Sequence, residues 1–128
     1  MAKGIEIREA HFPGRAPIDA YGNGGFRFAD MSHRGSILCL PSGIYGWNKT
    51  EDTPLVVSDL QRVLDEAGDI EVLLVGTGTE IRPLSPEIKA ALRERNIRSD
   101  PMSTGAAVRT FNVMLAESRA VAVALIAV

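Results

Sequence analysis

At 128 residues, the chain has room for one domain, 1–128, that buries a sizeable core without disulfide or metal staples. Its hydrophobic fraction of 45% and charged fraction of 23% are those of an ordinary globular protein, and a net charge of -2 with scattered Lys and Arg argues against a nucleic-acid partner. One cysteine, Cys39, leaves no internal disulfide and fits a reducing compartment.

Residues 1–9 carry charges where an export signal needs an apolar run, and the apolar stretch 120–128 is about half the length of a membrane helix. A cytoplasmic protein with no integral membrane segment is therefore expected. In chain order, 4–24 reads as irregular or short-stranded, with a turn cluster from Tyr21 to Gly25. Phe26 and Phe28, alternating with Arg27 and Ala29, predict a half-buried strand. Ser32, His33, Arg34 and Gly35 then close a hairpin into Ser36–Leu40, which is apolar on both faces. Pro41, Ser42 and Gly43 break that strand, and it resumes over 44–47.

The second half turns helical. Ser58 with Gln61 three residues on predicts a capping box, Leu60, Val63, Leu64 and Ala67 share one face, and Gly68 stops the helix in a left-handed conformation. A buried strand over 70–75 follows. Ser85 and Pro86 start a second helix, buried through Ile88, Ala91 and Leu92 and ended by Asn96. A short strand near 97–99, a third helix over 104–117 and an apolar C-terminal strand complete the series. Strands apolar on both faces predict an α/β fold of three layers: a central mixed β-sheet flanked by helices, with an additional N-terminal β-hairpin.

Few residues offer chemistry. Gly76, Thr77 and Gly78 follow a buried strand as a dinucleotide loop would, but the third glycine position is Ile81 and Pro83 delays the helix. The turn is either structural or the lining of a pocket at the carboxyl end of the sheet. On the third helix, Val108, Phe111 and Leu115 make a core face, and Gly105, Arg109, Asn112 and Ala116 make another. Small residues around Arg109 and Asn112 let a partner or ligand approach two directional hydrogen-bonding groups. Alternatively, Arg109 pairs with Asp100 or Glu117 and fastens helix to sheet. Ser103 or Thr104 caps this helix, and Glu117 and Arg119 flank its end. His11 and His33 lack metal-ligand spacing, Cys39 reads as an inert core thiol, and Trp47 is either packed in the core or part of an apolar contact patch.

Several blocks stand in a familiar order: Phe26; Gly35, Ser36, Ile37 and Leu38; Pro41; Trp47; Gly76, Thr77 and Gly78; Met102, Ser103 and Thr104; Ala107; Arg109, Thr110, Phe111, Asn112 and Val113; and Glu117, Ser118 and Arg119. From about residue 20 onward the chain resembles the family of small domains that includes mitochondrial NADH dehydrogenase (complex I) assembly factor 3, an adipogenesis-associated mammalian protein and many bacterial and archaeal proteins. The chain departs from that pattern in Phe111 for a frequent tyrosine, Val108 for a common cysteine and Ser118 for a common glycine.

The resemblance implies a three-layer α/β fold with no established catalytic activity and no cofactor; with the residues themselves offering no catalytic motif and no metal-ligand spacing, no catalytic residue and no metal are expected. It points to an assembly or binding protein acting through a protein partner; separately, a homodimer through the edge of the first-half hairpin is expected as a further form. The surface expected to meet a partner or ligand comprises Trp47, Gly76, Thr77, Gly78, Glu80, Met102, Thr104, Arg109, Asn112, Glu117 and Arg119. The competing expectation is a small-molecule binder or enzyme. Its crevice would lie between 76–80 and 102–109, with Glu80 as base and Arg109 as anion clamp.

Overall fold

Alternation inside three strands decides the architecture. The computed structural model describes residues 12–128; the readings that fall on 1–11, including His11, lie outside them. β1 (Phe12–Pro13), β2 (Ala20–Gly22), β3 (Gly25–Phe28), β4 (Met31–Arg34), β5 (Ser36–Leu40) and β6 (Gly43–Trp47) occupy the first half. A 3-10 turn (Val57–Leu60) leads into α1 (Gln61–Asp65), and a second (Ala67–Asp69) leads out. β7 (Val72–Gly76), α2 (Pro86–Glu94), β8 (Arg98–Met102), α3 (Thr104–Ala116) and β9 (Val121–Leu125) follow.

Six strands form a mixed sheet in the order β1-β6-β5-β9-β7-β8. β7 runs parallel to both β8 and β9, while β5 runs antiparallel to β9 and β6. β5, β7 and β9 are buried along their whole length, so each sends apolar side chains both ways. Ile37, Cys39, Val72, Leu74, Val121, Val123 and Leu125 face α3 together with Ile18, Phe26 and Phe28. Leu38, Leu40, Leu73, Val75, Ala122 and Ala124 face α1 and α2 through Leu60, Val63, Leu64, Ile88 and Leu92. Each fully buried large apolar side chain stabilises the fold by about 1.5–3 kcal/mol relative to exposure. The strands β2-β3-β4 make a separate sheet that covers the α3 side through Phe26 and Phe28.

Helix ends follow the side-chain chemistry. Ser85 Oγ accepts from the Ile88 N–H at 3.2 Å with Pro86 at the first helical position, and Asn96 at φ 63° ends α2. Ser103 Oγ accepts from the Ala106 N–H at 3.4 Å, and Ser118 at φ 60° turns the chain after α3.

Several expectations need correction. Residues 32–35 are no turn: Met31–Arg34 is itself a strand paired with β3, and the hairpin turns at Ala29 and Asp30, with φ of 49° and 62°. Two consecutive positive φ values match the two-residue turn that suits strand twist. Pro41 and Ser42 likewise turn β5 back on itself, so β6 is its antiparallel neighbour rather than its continuation. Ser58 caps nothing; the 3-10 turn begins at Val57, and Asp59 Oδ2 accepts from the Val56 N–H at 2.8 Å. Gly68 sits within the second 3-10 turn and is not left-handed. The strand expected near 97–99 runs on through Pro101, because β8 is the sheet edge, where proline's missing N–H leaves no ladder bond unmade.

Candidate functional site

The glycine turn and the start of α3 are one knot. Thr104 is fully buried; its Oγ1 donates to the Ile126 carbonyl at 2.7 Å and accepts from the Gly78 N–H at 3.0 Å. The Thr104 N–H donates to the Gly78 carbonyl at 2.8 Å, and the Thr77 N–H to the Met102 carbonyl at 2.8 Å. Thr77 Oγ1 donates to the Glu80 carbonyl at 2.7 Å and accepts from the Arg82 N–H at 3.0 Å. A Cβ on Gly76 would lie 2.9 Å from Thr104 Cα. The crevice expected between 76–80 and 102–109 is therefore closed: backbone meets backbone there, and the polar atoms satisfy one another. Glu80 is exposed, and only its carbonyl joins this network.

α3 divides the residues expected to share one face. Asn112 is half-buried and forks onto the backbone of Ile18, with Oδ1 accepting from its N–H at 2.9 Å and Nδ2 donating to its carbonyl at 2.8 Å. Asn112 thus holds the chain between β1 and β2 against the helix. Arg109 is exposed and forms no ion pair among the described residues, with Asp100 and Glu117 included. Val113, one position beyond Asn112, is 58% exposed. Arg109 and Val113 lie four residues apart on one stripe, with exposed Ala116 three residues further. At the helix start, Gly105 lies under the Tyr21 hydroxyl, where a Cβ would clash.

The remaining expected residues do not converge. Trp47 is half-buried against the cluster beneath α1 and α2, and its indole N–H donates to the Asp59 carbonyl at 2.9 Å. It therefore lies across the sheet from Arg109 and Asn112. Met102 packs against the opposite cluster. Glu117 is exposed at the C-cap of α3, and Arg119 is half-buried. Cys39 is buried mid-strand, and burial raises its thiol well above the ordinary range, so it stays protonated and unreactive.

Two residues escaped sequence reasoning. Glu51, in the loop after β6, seals the glycine turn: Oε2 accepts from the Thr79 N–H at 2.7 Å and from its hydroxyl at 3.0 Å. Gly78 makes room for this carboxylate, which a Cβ would strike, and its φ of 113° suits glycine alone. Arg82 Nη1 donates to the Glu51 carbonyl at 2.8 Å. Beside them opens a cleft of about 480 Å³ at the carboxyl end of β7. No local signal marks Glu51, because its partners lie 28 and 31 residues away.

Comparison with known proteins places this geometry in a family. The family model described as a protein of unknown function (DUF498/DUF598) matches residues 18–126. An uncharacterised protein of Rhodobacter capsulatus is 37% identical over 93% of this chain and 90% of its own length. NADH dehydrogenase (ubiquinone) 1 alpha subcomplex assembly factor 3 of zebrafish, Danio rerio, is 32% identical over 95% of this chain. The chain spans 70% of that protein and 66% of its mouse counterpart. The crystal structure of an outer membrane protein from Bartonella henselae superposes with a TM-score of 0.87 at 64% identity, covering 91% of this chain and 98% of that one. Among the described residues, no helix is long and apolar enough to cross a membrane.

Proposed function

This chain belongs to the DUF498/DUF598 family of proteins of unknown function and is related to assembly factor 3, and on that premise we propose that it is a non-enzymatic protein-binding module. The process it serves is assembly of a membrane-associated complex of respiratory type. In this reading the chain works as a single domain, 1–128, in the cytoplasm, and meets a protein partner through the exposed stripe of α3.

The observation that carries the reading is the pairing of exposed Arg109 with 58%-exposed Val113 on a helix fastened through Thr104 and Asn112. Thr104 and Asn112 immobilise α3, so the stripe is presented rigidly, and little conformational entropy is lost when a partner docks. Arginine is enriched at the centres of protein contacts, and exposed Val113 adds apolar area beside it. A second copy of the chain is one candidate partner, and light scattering reads that directly.

The test is a crosslinked pull-down from native lysate with wild type, Arg109→Ala and Val113→Asp, all confirmed as folded by circular dichroism. One specific protein captured by wild type and lost from both variants supports the module. Capture that survives both substitutions moves the contact away from α3 and sinks this reading.

A further inference from the structure

The cleft at the carboxyl end of β7 lies outside the contact stripe on α3. Its volume of about 480 Å³ falls within the range typical of small-molecule sites, about 300–1,000 Å³. Much of the wall is apolar, built by Leu55 from the loop after β6, Leu84 ahead of α2, Ile88 in its first turn and Ile126 just past β9.

Two charged residues of opposite sign also line it, Glu51 and Arg82. They do not neutralise each other: Arg82 donates to the Glu51 main-chain carbonyl, and the two side chains form no ion pair. Each keeps capacity in reserve. Glu51 Oε2 is taken by Thr79, while Oε1 accepts nothing from the described residues. Arg82 spends one Nη1 donor of the five N–H groups that a guanidinium carries. A lone carboxylate bound here would gain Arg82 and be repelled by Glu51, and a lone amine would face the reverse. A head group carrying both charges satisfies both residues, and an apolar body fills the remaining volume.

We propose that this cleft binds a free α-amino acid with a large apolar side chain, its carboxylate on Arg82 and its ammonium on Glu51. One carbon then holds both charges at the rim while the side chain enters between Leu55, Leu84 and Ile88. An internal peptide segment has neither charge on its backbone and is disfavoured.

The experiment titrates L-phenylalanine, phenylpropionate and phenethylamine into isotope-labelled protein and follows amide NMR shifts. Phenylalanine is expected to give saturable shifts at the amides of Glu51, Thr79 and Arg82, with each single-charge analogue about tenfold weaker or more. Arg82→Gln should weaken phenylalanine binding about tenfold with the remaining amide spectrum unchanged, and Glu51→Gln should weaken it about tenfold as well. Arg82 is exposed, so its replacement leaves the fold standing even if Glu51→Gln loosens the glycine turn. No saturation by about 10 mM, equal binding of either analogue, or unaltered affinity in Arg82→Gln overturns the proposal. Arg82→Gln should retain partner capture through α3, so the cleft and the helix stripe succeed or fail separately.

Discussion

Alanine at Gly78 and alanine at Gly105 should have unlike effects, although both new Cβ atoms meet a side chain at once. At Gly78 the backbone has φ 113°, and the obstructing group is the carboxylate that holds Thr79. Gly78→Ala combines backbone strain with loss of a charge-assisted hydrogen bond, so a destabilisation of about 3 kcal/mol is expected as a lower urea midpoint at unchanged slope. At Gly105 the obstacle is the end of the exposed Tyr21 side chain, which can swing away. Alanine also gains about 1 kcal/mol of helix propensity there, so Gly105→Ala should leave stability within about 1 kcal/mol of wild type. Cys39 makes a third residue-level case. Its raised folded pKa keeps the thiol neutral, while the unfolded thiol ionises above about pH 8.5. Stability is therefore full below that pH and falls as pH rises beyond it, by up to about 1.4 kcal/mol per pH unit. Denaturation curves of wild type should show this extra slope relative to Cys39→Ala.

At the scale of elements, α3 is held by hydrogen bonds that its own sequence does not reveal. Asn112→Ala removes both bonds to Ile18, whose side chain is buried. A loss of about 2 kcal/mol is expected, and amide exchange should accelerate around Ile18 before it does in α3. Arg109→Ala, by contrast, removes an exposed group without an ion pair and should change stability by no more than about 0.5 kcal/mol. The contrast separates a fastening residue from a freely exposed one, three positions apart on the same helix. The helix itself was legible: Val108 and Phe111 at helical spacing gave the buried face, and the cap was narrowed to Ser103 or Thr104, of which Ser103 takes it. What periodicity could not resolve was the rotation beyond that face, where a single position turns half-buried Asn112 into exposed Val113.

Across the whole molecule, the two apolar clusters give unequal cover. β5, β7 and β9 have apolar layers on both faces, whereas β2 and β4 alternate or expose their side chains. Hydrogen exchange should therefore be slowest in β5, β7 and β9 and markedly faster in the β2-β3-β4 sheet, ordered by burial and not by position in the chain. The same layering separates Trp47 from the α3 stripe. The two regions read together from sequence face opposite sides of the sheet and cannot contact one flat partner surface at once.

By itself the sequence determined the α/β class, the covered central strands and the capping serine of α2, because period, apolar runs and capping residues act within a few positions. It also carried the ordered motifs that join the chain to its family. Tertiary structure alone decided that the glycine turn closes on Thr104, that Glu51 seals it and that Asn112 clamps Ile18. These contacts link residues 26, 28 and 94 positions apart, and no local pattern specifies which distant partner a hydroxyl, carboxylate or amide will meet. The hairpin turns failed for a related reason: strand pairing chose Ala29 and Asp30 for the turn and drew the more turn-like Ser32, His33 and Arg34 into β4.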